Sequence, residues 1–371
     1  MRAAFAWSIL LIIKSLTVLA QGDSYRFKTG FDPNEYADLM HLNEAFMDTI
    51  AGNRFIDYDP NFSFLYRSPS MGMDNTYDIW KGKDSTIVVT LRGTTADTKS
   101  LLADFYCAMI PANGKIVFGE NDTLAYKLSS LENATVHAGW LIGFAFIARD
   151  FKPKLDSLYG DGYRKFIVAG HSQGGALCYY LSAWMWHLNE IYPDIRVKTY
   201  ASASPKVGNM YFAYDYDNTT RSIWTFSVTN SADLVPETPF TTQVWETDMN
   251  QPNPFINMEE TFKKLSFLKR IMMKKAYNKM RNSANKSSAA YQKYLGDYLY
   301  KWTQNIYPHL ELPQAVNTAY FVRPGVPISF VPNEAYRQFF DKNNDGPYFH
   351  HSFKAYLFLL NEYYETSKKN N

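Results

Sequence analysis

The chain has 371 residues, 46% of them hydrophobic, 17% aromatic and 20% charged, with a formal net charge of +2. That length holds one large domain or two small ones, and the apolar content suits a globular protein with a sizeable core. The charge balance offers nothing to nucleic acid as a partner. At the N-terminus Arg2 precedes a mostly apolar stretch from Ala3 to Leu19, and Val18-Leu19-Ala20 forms a small-residue cleavage pattern. The expectation is a secretory signal over residues 1–20, removed to leave a secreted or periplasmic protein of residues 21–371. Lys14 interrupts the apolar stretch, and no later run is long and apolar enough for a transmembrane segment. Cys107 and Cys178 can form one disulfide or stay as two buried thiols, and their spacing matches no metal site.

In chain order, residues 32–52 have apolar positions near helical spacing and stop at Gly52. "STIVVTLRGT" (85–94) is a β-branched run ending in Gly-Thr, a buried strand entering a loop. Residues 135–155 read as a helix after their first few positions. "RKFIVAGHS" (164–172) is a second buried strand, followed by a helix over 174–192. "IRVKTYASASP" (195–205) and "SIWTFSVTN" (222–230) are two more strands. Short, fully apolar strands alternating with helices predict an α/β protein with a mostly parallel sheet covered on both faces. From Phe255 to about Tyr307 the composition turns to Lys, Met and Tyr with a helical pattern. In residues 258–281, Phe262, Leu265, Leu268, Met272 and Ala276 fall on one face, which is expected to pack on the domain beneath a solvated basic surface. The alternative is a segment that caps a cleft and turns its basic face to anionic interfaces. The C-terminal segment reads as a last helix with a polar tail.

Gly170-His171-Ser172-Gln173-Gly174 lies where the second buried strand hands over to a helix. One reading is a tight structural turn. The other is a nucleophile on a strained bend, with small residues two before and two after to avoid collision, and a helix N-terminus aimed at developing negative charge. Serine is a weak nucleophile at neutral pH and needs a base, which needs an orienting acid. Asp233 follows the 222–230 strand, at the end where ligand groups collect in open α/β sheets. For the base, His350 and His351 precede the last helix, with His309 and His187 as competitors.

Six stretches stand in order: "LRGTTADTKSLLADF" (91–105), "VHAGW" (136–140), "VAGHSQGGAL" (168–177), "ASPKVGN" (203–209), "NSADLVPETP" (230–239) and "HSFKAY" (351–356). Together they resemble the class 3 lipase family, the fungal-type triacylglycerol lipases with their feruloyl-esterase relatives. The resemblance implies an α/β-hydrolase fold, with Ser172 as nucleophile, Asp233 as acid and His351 as base. It makes the backbone N–H of Thr94, with a contribution from its hydroxyl, and that of Gln173 the oxyanion hole. Gly170 and Gly174 form the nucleophile elbow. No metal and no cofactor are implied. In lipases of this family a short helix after the oxyanion residue acts as a lid, with Leu101, Leu102 and Phe105 as its apolar face here.

The chain departs from the family at several points. Lys206 stands where many members have Arg, and His350 where an acidic or other polar residue is common. The extracellular fungal enzymes carry several disulfides, which two cysteines cannot supply. Compact members lack the long gap between Asp233 and His351, which holds a basic helical insertion (255–310) able to cap the site.

The resulting expectation is a secreted serine ester hydrolase acting on lipid esters, with peripheral contact to lipid interfaces. A feruloyl-type or short-chain soluble esterase is the alternative within the class. An inactive lipid- or partner-binding protein is the alternative outside it. Chain-length dependence of ester hydrolysis discriminates among the three.

Overall fold

A computed structural model describes residues 27–48, 61–340, 346 and 348–364. The expected signal segment and Gly52 lie outside the described residues. Seven strands form the central sheet in the order β1-β2-β3-β8-β9-β10-β11. They are β1 (Phe62–Arg67), β2 (Tyr77–Gly82), β3 (Ile87–Leu91), β8 (Lys165–His171), β9 (Arg196–Ser202), β10 (Thr225–Asn230) and β11 (Val326–Phe330). From β3 to β11 every pairing is parallel, while β1 and β2 extend the sheet antiparallel. Two small antiparallel pairs lie apart, β4 (Met109–Pro111) with β7 (Thr135–His137) and β5 (Asn113–Gly119) with β6 (Asp122–Lys127).

The apolar runs read as buried strands divide their side chains between two cores, as the period of two requires. Ile87, Val89 and Leu91 of β3, with Phe166 and Val168 of β8, face the helices Ala138–Gly160 and Gln173–His187. Val88, Ile167 and Ala169 face the helices Pro33–Asp48 and Phe353–Tyr364. The mostly parallel sheet with helices on both faces is the architecture expected of an α/β-hydrolase fold.

Two boundaries differ from the sequence expectation. The helix after Ser172 stops at His187, because the chain turns at Leu188, whose carbonyl accepts the N–H groups of Ile191 and Tyr192. Pro193 follows, and a residue before proline avoids helical geometry. The basic stretch 258–281 is two helices, Met258–Lys263 and Phe267–Tyr291, with Ser266 extended between them. Phe262 is buried and Tyr277 packs on it edge to face, but Leu268, Met272 and Ala276 are exposed. The expected packing of that apolar face on the domain is therefore corrected: its outer part meets solvent. These helices sit in the crossover from β10 to β11, and Leu299, Tyr300 and Ile306 fasten its later part to the main core.

Candidate active site

β8 hands over to the helix Gln173–His187 at Ser172, which has φ 62° and ψ −130°. A non-glycine residue with positive φ is costly and persists only where its surroundings hold it. The Ser172 N–H donates to the Ser202 carbonyl at 3.0 Å, tying the bend to β9. A Cβ on Gly170 would stand 2.4 Å from the Gly174 carbonyl, so this glycine is needed across the bend. A Cβ on Gly174 would stand 2.1 Å from the Leu91 carbonyl oxygen. Its constraint comes from the neighbouring strand β3. The first N–H groups of the helix, that of Gln173 foremost, have no intrahelical acceptor and point at the bend.

Asp233 lies in the turn after β10, its N–H donating to the Asn230 carbonyl at 3.0 Å. His351 ends the short turn Phe349–His351 before the last helix. Although 118 residues apart, they meet: His351 Nδ1 donates to Asp233 Oδ2 at 2.7 Å. The buried Tyr356 hydroxyl donates to the same oxygen at 2.7 Å, and the Val235 N–H donates to Oδ1 at 3.0 Å. Burial raises the Asp233 carboxyl, but the His351 contact and the other donors outweigh it and hold the group below its ordinary value. With Nδ1 committed to Asp233, the lone pair of a neutral His351 sits on Nε2, which is buried and has no hydrogen-bond partner.

His171 explains how His351 comes to the elbow. Its Nε2 lies 2.6 Å from the His351 carbonyl oxygen and its Nδ1 lies 3.0 Å from Ser202 Oγ. A carbonyl only accepts, so Nε2 carries the proton and Nδ1 accepts from Ser202, whose oxygen takes the Tyr36 hydroxyl at 2.6 Å. Burial pushes His171 down to about 3, which keeps it neutral. His171 is thus structural: it clamps the backbone of His351. His350 turns elsewhere, its Nδ1 2.8 Å from the Tyr336 hydroxyl. His187 pairs with Asp215 at 3.3 Å, and His309 is exposed.

The residue that sequence reasoning passed over is Asp104. It lies on the helix Thr98–Phe105, and its carboxylate accepts from Thr94 Oγ1 at 2.8 Å, Gln173 Nε2 at 2.8 Å and Trp140 Nε1 at 3.0 Å. One acid thus fixes both residues expected to present oxyanion N–H groups. The Thr94 hydroxyl proton is spent on Asp104, which leaves its backbone N–H as the group to meet an oxyanion. Ser100, one turn earlier, bonds Gln173 as well. Ser100 and Asp104, four residues apart and therefore on one face of a helix, were the available signal. Leu102 is buried while Leu101 and Phe105 are exposed, so the expected apolar lid face is split and the helix is fastened to the elbow. Arg92 pairs with Asp74 at 3.1 Å, and Cys107 and Cys178 are free buried thiols.

Residues 88–243 match the family Lipase (class 3). Lipases of Rhizopus niveus and Rhizopus oryzae are each 28% identical over 166 residues, 44% of this chain and 38% of theirs. The chain thus spans well under half the length of these curated relatives. Among solved structures, the lipase of Rhizopus microsporus var. chinensis has 23% identity and a TM-score of 0.41, covering 57% of this chain and 71% of that one. The Lip2 lipase of Yarrowia lipolytica has 18% identity and a TM-score of 0.45, covering 57% of this chain and 77% of that one. The similarity to class 3 lipases thus rests on residues 88–243, somewhat under half of the chain.

Proposed function

We propose that the protein is a secreted serine ester hydrolase acting on neutral lipid esters such as acylglycerols. Residues 21–371 form one catalytic domain that carries 255–310 as an insertion. The observation that carries the reading is the buried, unpartnered Nε2 of His351, its other nitrogen bonded to Asp233 and its ring packed on His171 beside the strained Ser172. In this reading Ser172 Oγ attacks the ester carbonyl and gives its proton to His351 Nε2. The N–H groups of Thr94 and Gln173 receive the oxyanion, each worth about 3 kcal/mol in the transition state. His351 then protonates the leaving alcohol. A water, deprotonated by the same nitrogen, releases the acid from the Ser172 ester.

Exposed Leu101, Phe105, Leu234 and Phe240 on the segments around these residues favour a lipid over a small soluble ester. The N-terminal sequence supports secretion, and among the described residues no helix is long and apolar enough to cross a membrane. The test is the initial rate on p-nitrophenyl esters of increasing chain length, below and above their solubility. A rate jump at the interface is expected. Saturation on soluble short esters assigns an esterase instead, and absence of turnover assigns a binding protein.

A further inference from the structure

The helix Phe267–Tyr291 carries seven Lys or Arg and no acidic residue. Its later part is tied to the segment following Asp233: the Tyr291 hydroxyl donates to the Phe240 carbonyl at 2.6 Å, Thr242 and Ser287 share a hydrogen bond, and Arg281 pairs with Glu246. Its opposite side is open to solvent. Phe267 is 66% exposed, Leu268 72%, Met272 71% and Met280 61%, where a helix resting on a domain would bury such side chains. At about 100° per residue, Leu268, Met272, Lys275 and Lys279 stand half a turn from Tyr277, Arg281 and Ser288, which face the body. Among the described residues no carboxylate pairs with Lys269, Lys275, Lys279 or Lys286, whereas Lys274 is paired with Glu259 at 2.7 Å. The outward side is therefore apolar and cationic at once.

We propose that this helix docks the protein on an anionic lipid surface. Leu268 and Met272 enter the acyl boundary while the lysines beside them reach back to anionic headgroups. Charge complementarity selects this occupant: a second copy of the chain would set these lysines against their own kind. Through Tyr291 and Phe240 the docked helix is continuous with the chain leading from Asp233, so docking holds the candidate site near its substrate. The proposal rests on the reading of the protein as acting on lipid esters, but binding is measured apart from turnover.

The experiment is sedimentation of the full chain with vesicles of ether-linked phosphatidylcholine, with and without about a third ether-linked phosphatidylglycerol. Three proteins are compared: wild type, a Lys269→Gln/Lys275→Gln/Lys279→Gln/Lys286→Gln variant, and a Leu268→Ser/Met272→Ser variant. Wild type is expected to bind the anionic vesicles and to release as salt screens the charges. At roughly fivefold per lysine, the Gln variant should partition about 600-fold more weakly at low salt. The Ser variant should lose the binding that persists at high salt. All three should match in far-UV circular dichroism and in hydrolysis of a soluble short ester. Equal vesicle binding by all three overturns the proposal, as does absence of binding by wild type. So does a wild-type dimer that Leu268→Ser/Met272→Ser converts to monomer, since a second copy would then cover the face. Binding without ester turnover sinks the functional reading alone, and turnover without binding sinks this inference alone.

Discussion

Replacing Asp233 with Asn probes the site at a point where the geometry leaves the amide no good answer. In wild type, Oδ2 accepts from His351 Nδ1 and the Tyr356 hydroxyl, and Oδ1 accepts from the Val235 N–H. An amide has one accepting end. If its oxygen faces His351, its NH₂ meets the Val235 N–H, and a part-buried backbone donor is stranded at about 1–3 kcal/mol. If its NH₂ faces His351, Nδ1 must accept, the imidazole proton moves to Nε2, and Ser172 loses its base. Either arrangement also removes the charge that stabilises the imidazolium. By analogy with the serine-protease triad, kcat should fall about 10⁴-fold, or about 5 kcal/mol of barrier. Unfolding free energy should drop by only about 1–3 kcal/mol. The assay pairs kcat on a soluble p-nitrophenyl ester with urea unfolding. A variant that loses stability but keeps kcat within tenfold would reduce Asp233 to a structural acid and refute the reasoning.

His351→Ala should cost as much activity as Asp233→Asn while His350→Ala costs little, and an exchange of the two phenotypes in kcat would reassign the base. Gly174→Ala places a methyl 2.1 Å from the Leu91 carbonyl oxygen, so a loss of several kcal/mol in thermal unfolding is expected, and a stable, active variant would contradict the elbow geometry. Asp104→Ala strands three donors, at about 1–3 kcal/mol each, and should lower both stability and kcat, whereas a purely structural acid would leave the kcat of the folded fraction unchanged. Burial pushes both His137 and His171 down to about 3. The stability they confer is complete above the unfolded histidine value of about 6.5 and is lost as pH falls from there toward the folded value. Unfolding free energy should thus decline by up to about 1.4 kcal/mol per pH unit for each histidine in that window, and a flat profile between pH 6 and about 4 in urea titrations would rule this out.

The parallel half of the sheet was legible because β3, β8, β9 and β10 are almost wholly buried, and β3 and β8 read as nearly continuous apolar runs. The outer strands were not. β11 contains Pro327, and four of its five residues are only partly covered or exposed at the sheet edge, so no apolar run announces it. The β5–β6 hairpin did carry a signal, alternating positions around Asn121 with φ 61° in the turn, which the reading missed. Ser172, Asp233 and His351 could be named because each sits in a distinctive local pattern. Ser202 and Tyr36 could not, since they meet across 166 residues, and what Asp104 does emerges only when it meets Gln173 across 69 residues. In 258–281 the periodicity told which residues share a face, but periodicity carries no information on whether anything covers that face.

The central claim is that Ser172 is the nucleophile, and covalent capture tests it most directly. A fluorophosphonate should add one group per chain by intact mass, and peptide mapping should place that group on Ser172, with no addition to Ser172→Ala. An adduct on another residue, or labelling that persists in Ser172→Ala, would contradict the account.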